Sequence, residues 1–292
     1  MRFMRVGERG HERPVVLDAA DAAWDLSPIG DVDAAFFATD GPARAARALA
    51  AGELPPTSIE GLRVGAPIAR PPSIICIGMN YAAHAAESGS APPEHLVVFF
   101  KKPNTAVGRA DPILVPRGSD RLDWEVELAV VIGAEGRYLD TDDDALAIVA
   151  GYALVNDLSE RTFQVDISGG QWSKGKCATD FSPFGPWIAT PDEVGDPQSL
   201  RLRSWVNDEP RQDSSTADMV FPVARIVREL SAVMVLEPGD VILTGTPEGV
   251  ALSGRYPYLH PGDRVRMEID GLGSTDQVVM DETAARESEA AA

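Results

Sequence analysis

From residue 73 onward the chain is a succession of short apolar, β-branched runs broken by polar turns, at 73–77, 96–100, 125–132, 200–206, 241–244 and 264–269. Runs this numerous and irregularly spaced predict a β-rich core with few helices, not a doubly wound sheet. One helix is expected over 42–51, and another begins at Thr141, a cap whose first turn carries Asp142, Asp143 and Asp144. Their charge suits the positive end of a helix dipole, so these acids are read as structural and not as ligands. A third helix is expected over 223–234, amphipathic through Ile226, Val227 and Leu230 and stopped before Pro238-Gly239. Residues 1 to about 68 alternate short apolar runs with turns, and the Pro55-Pro56 and Arg70-Pro71-Pro72 steps disfavour helix before them. The pattern divides the chain into a small N-terminal domain at 1–70, a larger domain at 71–280 and a charged, alanine-rich mobile tail at 281–292.

The run 125–132 stands out because it holds two acids, Glu125 and Glu127. Successive strand residues alternate between faces, so both carboxylates point one way and Val126, Leu128 and Val130 the other. Two buried like charges either share a proton or bind a cation, and hard oxygen donors suit magnesium, manganese or calcium. Asp157 follows another apolar run, 151–156, that can lie beside the first, which makes a third ligand. Spacing alone leaves open a blander arrangement, in which one glutamate sits on an exposed face of a half-buried strand.

Bulk properties narrow the partners. Of 292 residues 44% are hydrophobic and 24% charged, the make-up of an ordinary globule, and 45 acids against 26 bases give a formal charge of -19. That charge argues against a nucleic-acid or anionic-membrane partner. No segment approaches a membrane span and the first residues lack a signal-peptide core, so the cytoplasm is the expected compartment. Two cysteines, Cys76 and Cys177, make no disulfide framework. Cys177 beside Lys176 is a weak candidate nucleophile, with no histidine near it in sequence.

His84 and Glu87 are three apart, within reach on one helical turn, the arrangement of an oriented general base; an isolated histidine on such a turn also serves simply as a surface or capping residue. Arg161, Gln164 and Lys176 offer donors to substrate oxygens. Otherwise they belong to a solvated loop, with Arg161 paired to Glu160 or Asp157 and Lys176 in an exposed basic turn. The turn Thr244-Gly245-Thr246-Pro247 can present amides and a hydroxyl to an anion.

The succession Asn80-Tyr81-x-x-His84-x-x-Glu87, Glu125-x-Glu127, Asn156-Asp157-x-Ser159-x-Arg161-x-x-Gln164, Lys176 and Thr244-Gly245-Thr246-Pro247-Glu248-Gly249-Val250 resembles the fumarylacetoacetate hydrolase family over residues 71–280. The resemblance implies a mixed β-sandwich roll with a small N-terminal domain, a metal-dependent catalytic domain at 71–280 and a homodimer formed through it. It implies magnesium or manganese, with calcium a further option, on Glu125, Glu127 and Asp157. His84 and Glu87 would sit on a mobile segment that orders over ligand, flanked by the flexible stretch 88–93. Arg161, Gln164 and Lys176 would polarise substrate oxygens, and Thr246 would contact a substrate carboxylate. Cys177 and Ala178 stand where the family often has serine and an aromatic, which bears on pocket shape.

The activity implied is hydrolysis of a carbon-carbon bond in a β-diketo acid, an acylpyruvate or a diketo sugar acid, through an enolate stabilised by metal and Lys176. Decarboxylation of oxaloacetate and keto-enol isomerisation of a 2-oxo acid use the same residues. A pure binding module would require a missing catalytic group, and each motif position is filled.

Overall fold

The computed structural model describes residues 1–87, 89 and 91–282. The expected tail beyond residue 282, and Ser88 and Ser90 of the expected flexible flank, lie outside them.

The two-acid run forms the strand Val126–Ile132, and all seven of its residues are buried. It lies between Val149–Asn156 and Val241–Leu243, antiparallel to both. The central sheet runs from Ala23–Asp25 through Arg13–Leu17, Arg2–Val6, Ile188–Ala189, Val149–Asn156, Val126–Ile132, Val241–Leu243 and Ile74–Gly78 to Val97–Lys101 at its edge. A second sheet is ordered Glu209–Ser215, Arg201–Val206, Arg264–Ile269, Gly273–Asp281, Ile113–Val115.

Each face of the central strand has its own cover. Val126, Leu128, Val130 and Ile132 join one core with Leu202, Val265 and Met267 of the second sheet and Ile226, Val227 and Leu230 of the helix Val223–Val233. Ala129 and Val131 face the other way, into a core shared with Phe3, Phe36, Phe37 and Ala45 of the N-terminal segment. Burial on both faces removes the half-exposed arrangement that spacing left open. It also explains why period-two alternation is weak here, since a strand covered on both sides reads as a continuous apolar run.

The helix expected over 42–51 is Gly41–Ala51, and Thr141 caps Asp142–Ala147 in a reciprocal box with Asp144. Within 1–70, the strands Arg2–Val6 and Arg13–Leu17 extend the central sheet through Ile188–Ala189. No helix among the described residues is long and apolar enough to cross a membrane.

Candidate metal centre and active site

Glu125, Glu127 and Asp157 converge because two neighbouring strands end together. Asp157 lies one residue past Val149–Asn156, its backbone N–H donating to the Glu125 carbonyl at 2.9 Å, and the Asn156 side chain accepts from the Glu125 N–H at 3.1 Å. One ligand oxygen from each carboxylate lies within 4.8 Å of the others, and all three residues are buried.

Cations surround this trio. Lys176 Nζ donates to Glu125 Oε2 and to Asp157 Oδ2, both at 2.7 Å. Lys101 Nζ, at the end of the edge strand, donates to Asp157 Oδ1 at 2.5 Å. Arg161 reaches Glu125 Oε1, Asp123 Oδ2 and Gln164 Oε1 at 2.7–2.8 Å. Arg161 and Lys176 are each 1% exposed, so neither belongs to a solvated loop, and Arg161 pairs with Asp123 and Glu125 instead of Glu160 or Asp157.

Glu127 differs from its partners. Its Oε2 accepts a 2.8 Å bond from the N–H of Gly245, which sits at φ +98° where a Cβ would press on Asn80. Burial, followed by the charges of Asp157 and Glu125, pushes the Glu127 carboxyl well above its usual range. Burial works the same way on Glu125, but Lys176 and Arg161 outweigh it and hold that carboxyl well below its ordinary value.

The donor set fits a hard divalent cation. Asp123, Glu125, Glu127 and Asp157 face Lys101, Lys176 and Arg161, which leaves one carboxylate uncompensated, and Glu127 is where the excess falls. Glu125 and Asp157 accept one of these bonds on each oxygen and Glu127 accepts one on Oε2, so each of the three keeps lone pairs for an ion. Three such groups match the oxygen preference of magnesium, manganese or calcium and not the nitrogen and sulfur sites of zinc.

Glu125 and Glu127 of the trio line a cavity of about 240 Å³ that also meets His84, Gln164, Thr246 and Leu252. His84 lies on the helix Ala82–Glu87, but its Nδ1 stands 3.9 Å from Glu87 Oε2 and has no hydrogen-bond partner among the described residues. The expected oriented pair is therefore not hydrogen-bonded here. Glu87 instead accepts from the Gly249 N–H at 3.1 Å and Arg255 Nη1 at 2.8 Å, stronger donors than a distant imidazole. Burial also lowers the His84 pKa, favouring neutral imidazole.

Thr246 lines the cavity, yet its Oγ1 already donates to the Val126 carbonyl at 3.0 Å and accepts from Gln212 at 2.8 Å. Two participants escaped the sequence reading. Lys101 closes an apolar run and reads as an edge charge. Asp123 continues the same-face series of Glu125 and Glu127 two residues earlier, a signal present in the period. Its carboxylate also accepts the N–H groups of Ala251 and Leu252 at 2.8 and 2.9 Å, which fastens that turn to the site.

Three buried carboxylates, two buried lysines and a buried arginine gathered beside a cavity define the site of an enzyme. The chain belongs to the fumarylacetoacetate hydrolase family: the family's model for the fumarylacetoacetate hydrolase C-terminal region matches residues 73–280. A Burkholderia multivorans protein carrying a provisional hydrolase name is 46% identical over 282 residues, 95% of this chain and 98% of that one. The crystal structure of maleylpyruvate hydrolase from Sphingobium sp. SYK-6, in complex with manganese(II) and pyruvate, is 30% identical with a TM-score of 0.78, covering 96% of this chain and 99% of that one. A 5-carboxymethyl-2-hydroxymuconate delta-isomerase from Mycobacterium smegmatis is 32% identical with a TM-score of 0.75, covering 97% and 99%.

Proposed function

We propose that the protein is a divalent-metal-dependent hydrolase that cleaves the carbon-carbon bond of a 2,4-dioxo acid. The observation that carries this reading is the buried trio Glu125, Glu127 and Asp157, two of whose members, Glu125 and Glu127, line a cavity that His84 also lines. Glu125, Glu127 and Asp157 would hold magnesium or manganese, and the ion supplies a Lewis acid for the oxygens of the 2-oxo acid. The manganese and pyruvate in the maleylpyruvate hydrolase structure support both halves of that assignment.

The chain's own residues do the rest. Water adds to the C4 carbonyl as His84 takes one of its protons, which requires the neutral imidazole that burial favours. The C3–C4 bond then breaks, its electron pair leaving with C3. That carbon recovers a proton, so one water and one dioxo acid give a carboxylic acid and pyruvate. Lys176 and Arg161, charged and buried, stabilise the negative charge that develops on the leaving fragment's oxygens.

A second reading, keto-enol isomerisation of an unsaturated 2-oxo acid, is supported by likeness to the delta-isomerase structure and needs no attacking water. Oxaloacetate decarboxylation likewise needs none. Acylpyruvates, diketo sugar acids, oxaloacetate and an unsaturated 2-oxo acid, each assayed with Mg²⁺ or Mn²⁺ for product identity, decide among them. Pyruvate and a carboxylic acid in equal amounts are expected. Carbon dioxide from oxaloacetate, or an isomer alone, with no diketone cleaved, would overturn the hydrolase reading.

A further inference from the structure

The cavity wall carries two chemically different sets of residues, which meet where Lys176 Nζ lies 5.1 Å from the centre of the Phe99 ring. Glu125, Glu127, Arg161 and Lys176 make one, while the rest of the wall is mainly Ile77, Met79, Phe99, Val165, Trp172 and Leu252. The apolar part is built and not incidental. Trp172 packs on Phe99 with ring centroids 5.6 Å apart, and its indole lies over Gly78, where any Cβ would collide with it.

Both cations on the cavity wall are anchored at the carboxylates, where they serve the 2-oxo acid end: Arg161 by Asp123, Glu125 and Gln164, and Lys176 by Glu125 and Asp157. Arg255, three residues past Leu252, is held by Glu87. A carboxylate at the far end of a substrate would therefore lose water against indole and leucine with no further cation on the wall, among the described residues, to receive it. An alkyl or aryl group there gains from the same desolvation.

We infer, on the hydrolase reading above, that Trp172, Phe99, Val165 and Leu252 form a subsite for an uncharged apolar acyl group. The substrates are then acylpyruvates with an alkyl or aryl group on C4, not diketo acids ending in a second carboxylate or a polyhydroxyl chain. Trp172 and Leu252 determine specificity at this end, and the 2-oxo acid end lies over the carboxylates.

The test compares 2,4-dioxoheptanoate with 2,4-dioxoheptanedioate, equal in length and differing in a terminal methyl against a carboxylate, at saturating Mn²⁺. The expected kcat/KM favours the monoacid by about 100-fold. Each methylene added between 2,4-dioxopentanoate and 2,4-dioxoheptanoate raises it about fourfold. Trp172→Ala should shrink the monoacid preference to under about tenfold. Val165→Arg, at a half-exposed position that tolerates charge, should turn it toward the diacid. Equal or faster turnover of the diacid by the parent enzyme overturns the inference. Calorimetric binding of 2-oxoheptanoate and 2-oxoheptanedioate, which lack the second carbonyl, reads the subsite apart from the chemistry. If neither diketone is cleaved, the hydrolase reading fails, and the analogue preference still decides the subsite.

Discussion

Glu127 is the carboxylate that the lysines and arginine of the site leave uncompensated. Its folded pKa is raised, while in the unfolded chain it titrates near its ordinary value of 4.5. Between those two values the unfolded chain has lost the proton and the fold keeps it, so this group's contribution to stability falls as pH rises through the window. Glu127→Gln has no such proton. In EDTA its melting temperature should gain on the parent as the pH rises above 4.5, while Mn²⁺ affinity drops on the order of 100-fold or more, read by titration calorimetry. An unchanged Mn²⁺ affinity would remove Glu127 from the metal centre. His84 gives a second residue-level outcome. At saturating Mn²⁺, kcat/KM should fall on acidification with a midpoint below the ordinary imidazole value of 6.5, because burial disfavours the charged form. His84→Ala should lose roughly 10²- to 10⁴-fold in cleavage and keep pyruvate binding. Glu125, Glu127 and Asp157 were legible as residues because the strand period places the two glutamates on one face. The partners were not: which acid Arg161 binds, and that Lys101 reaches Asp157, depends on strands and turns distant in the chain.

At the scale of elements, the central strand is buried on both faces, and the N-terminal segment supplies one of the covers. Phe36, on the helix Ala34–Ala38, meets Phe3 and Phe37 edge-on with centroids 5.4 and 5.3 Å apart. Phe36→Ala should cost about 3–5 kcal/mol in denaturant unfolding, in one transition that also releases the catalytic residues. Two transitions, with Mn²⁺ binding intact after the first, would mean that the segment 1–70 folds and unfolds alone. The strands at 125–132, 200–206 and 264–269 were readable to within a residue because each is a bounded apolar or alternating run. The strand Glu209–Ser215 was not, since its sequence Glu-Pro-Arg-Gln-Asp-Ser-Ser is polar and is held as a strand only by pairing with Arg201–Val206.

For the whole molecule, family resemblance gives the expectation of a homodimer through the larger domain, and light scattering at micromolar concentration should return twice the 31.2 kDa chain mass. A monomeric mass would refute it. The sequence by itself determined a β-rich chain, the acids of the candidate metal centre and the family, because local period and motif order survive without knowledge of distant contacts. Tertiary structure alone decided the charge balance of the site. It placed Lys101, 56 residues from Asp157, against that carboxylate, and drew Glu87 away from His84 to Arg255, 168 residues on. It also set an indole over Gly78 to give the cavity its apolar side. Electrostatic energy and cavity shape depend on distances between groups that chain separation does not encode, so these features exist only once the sheets have closed.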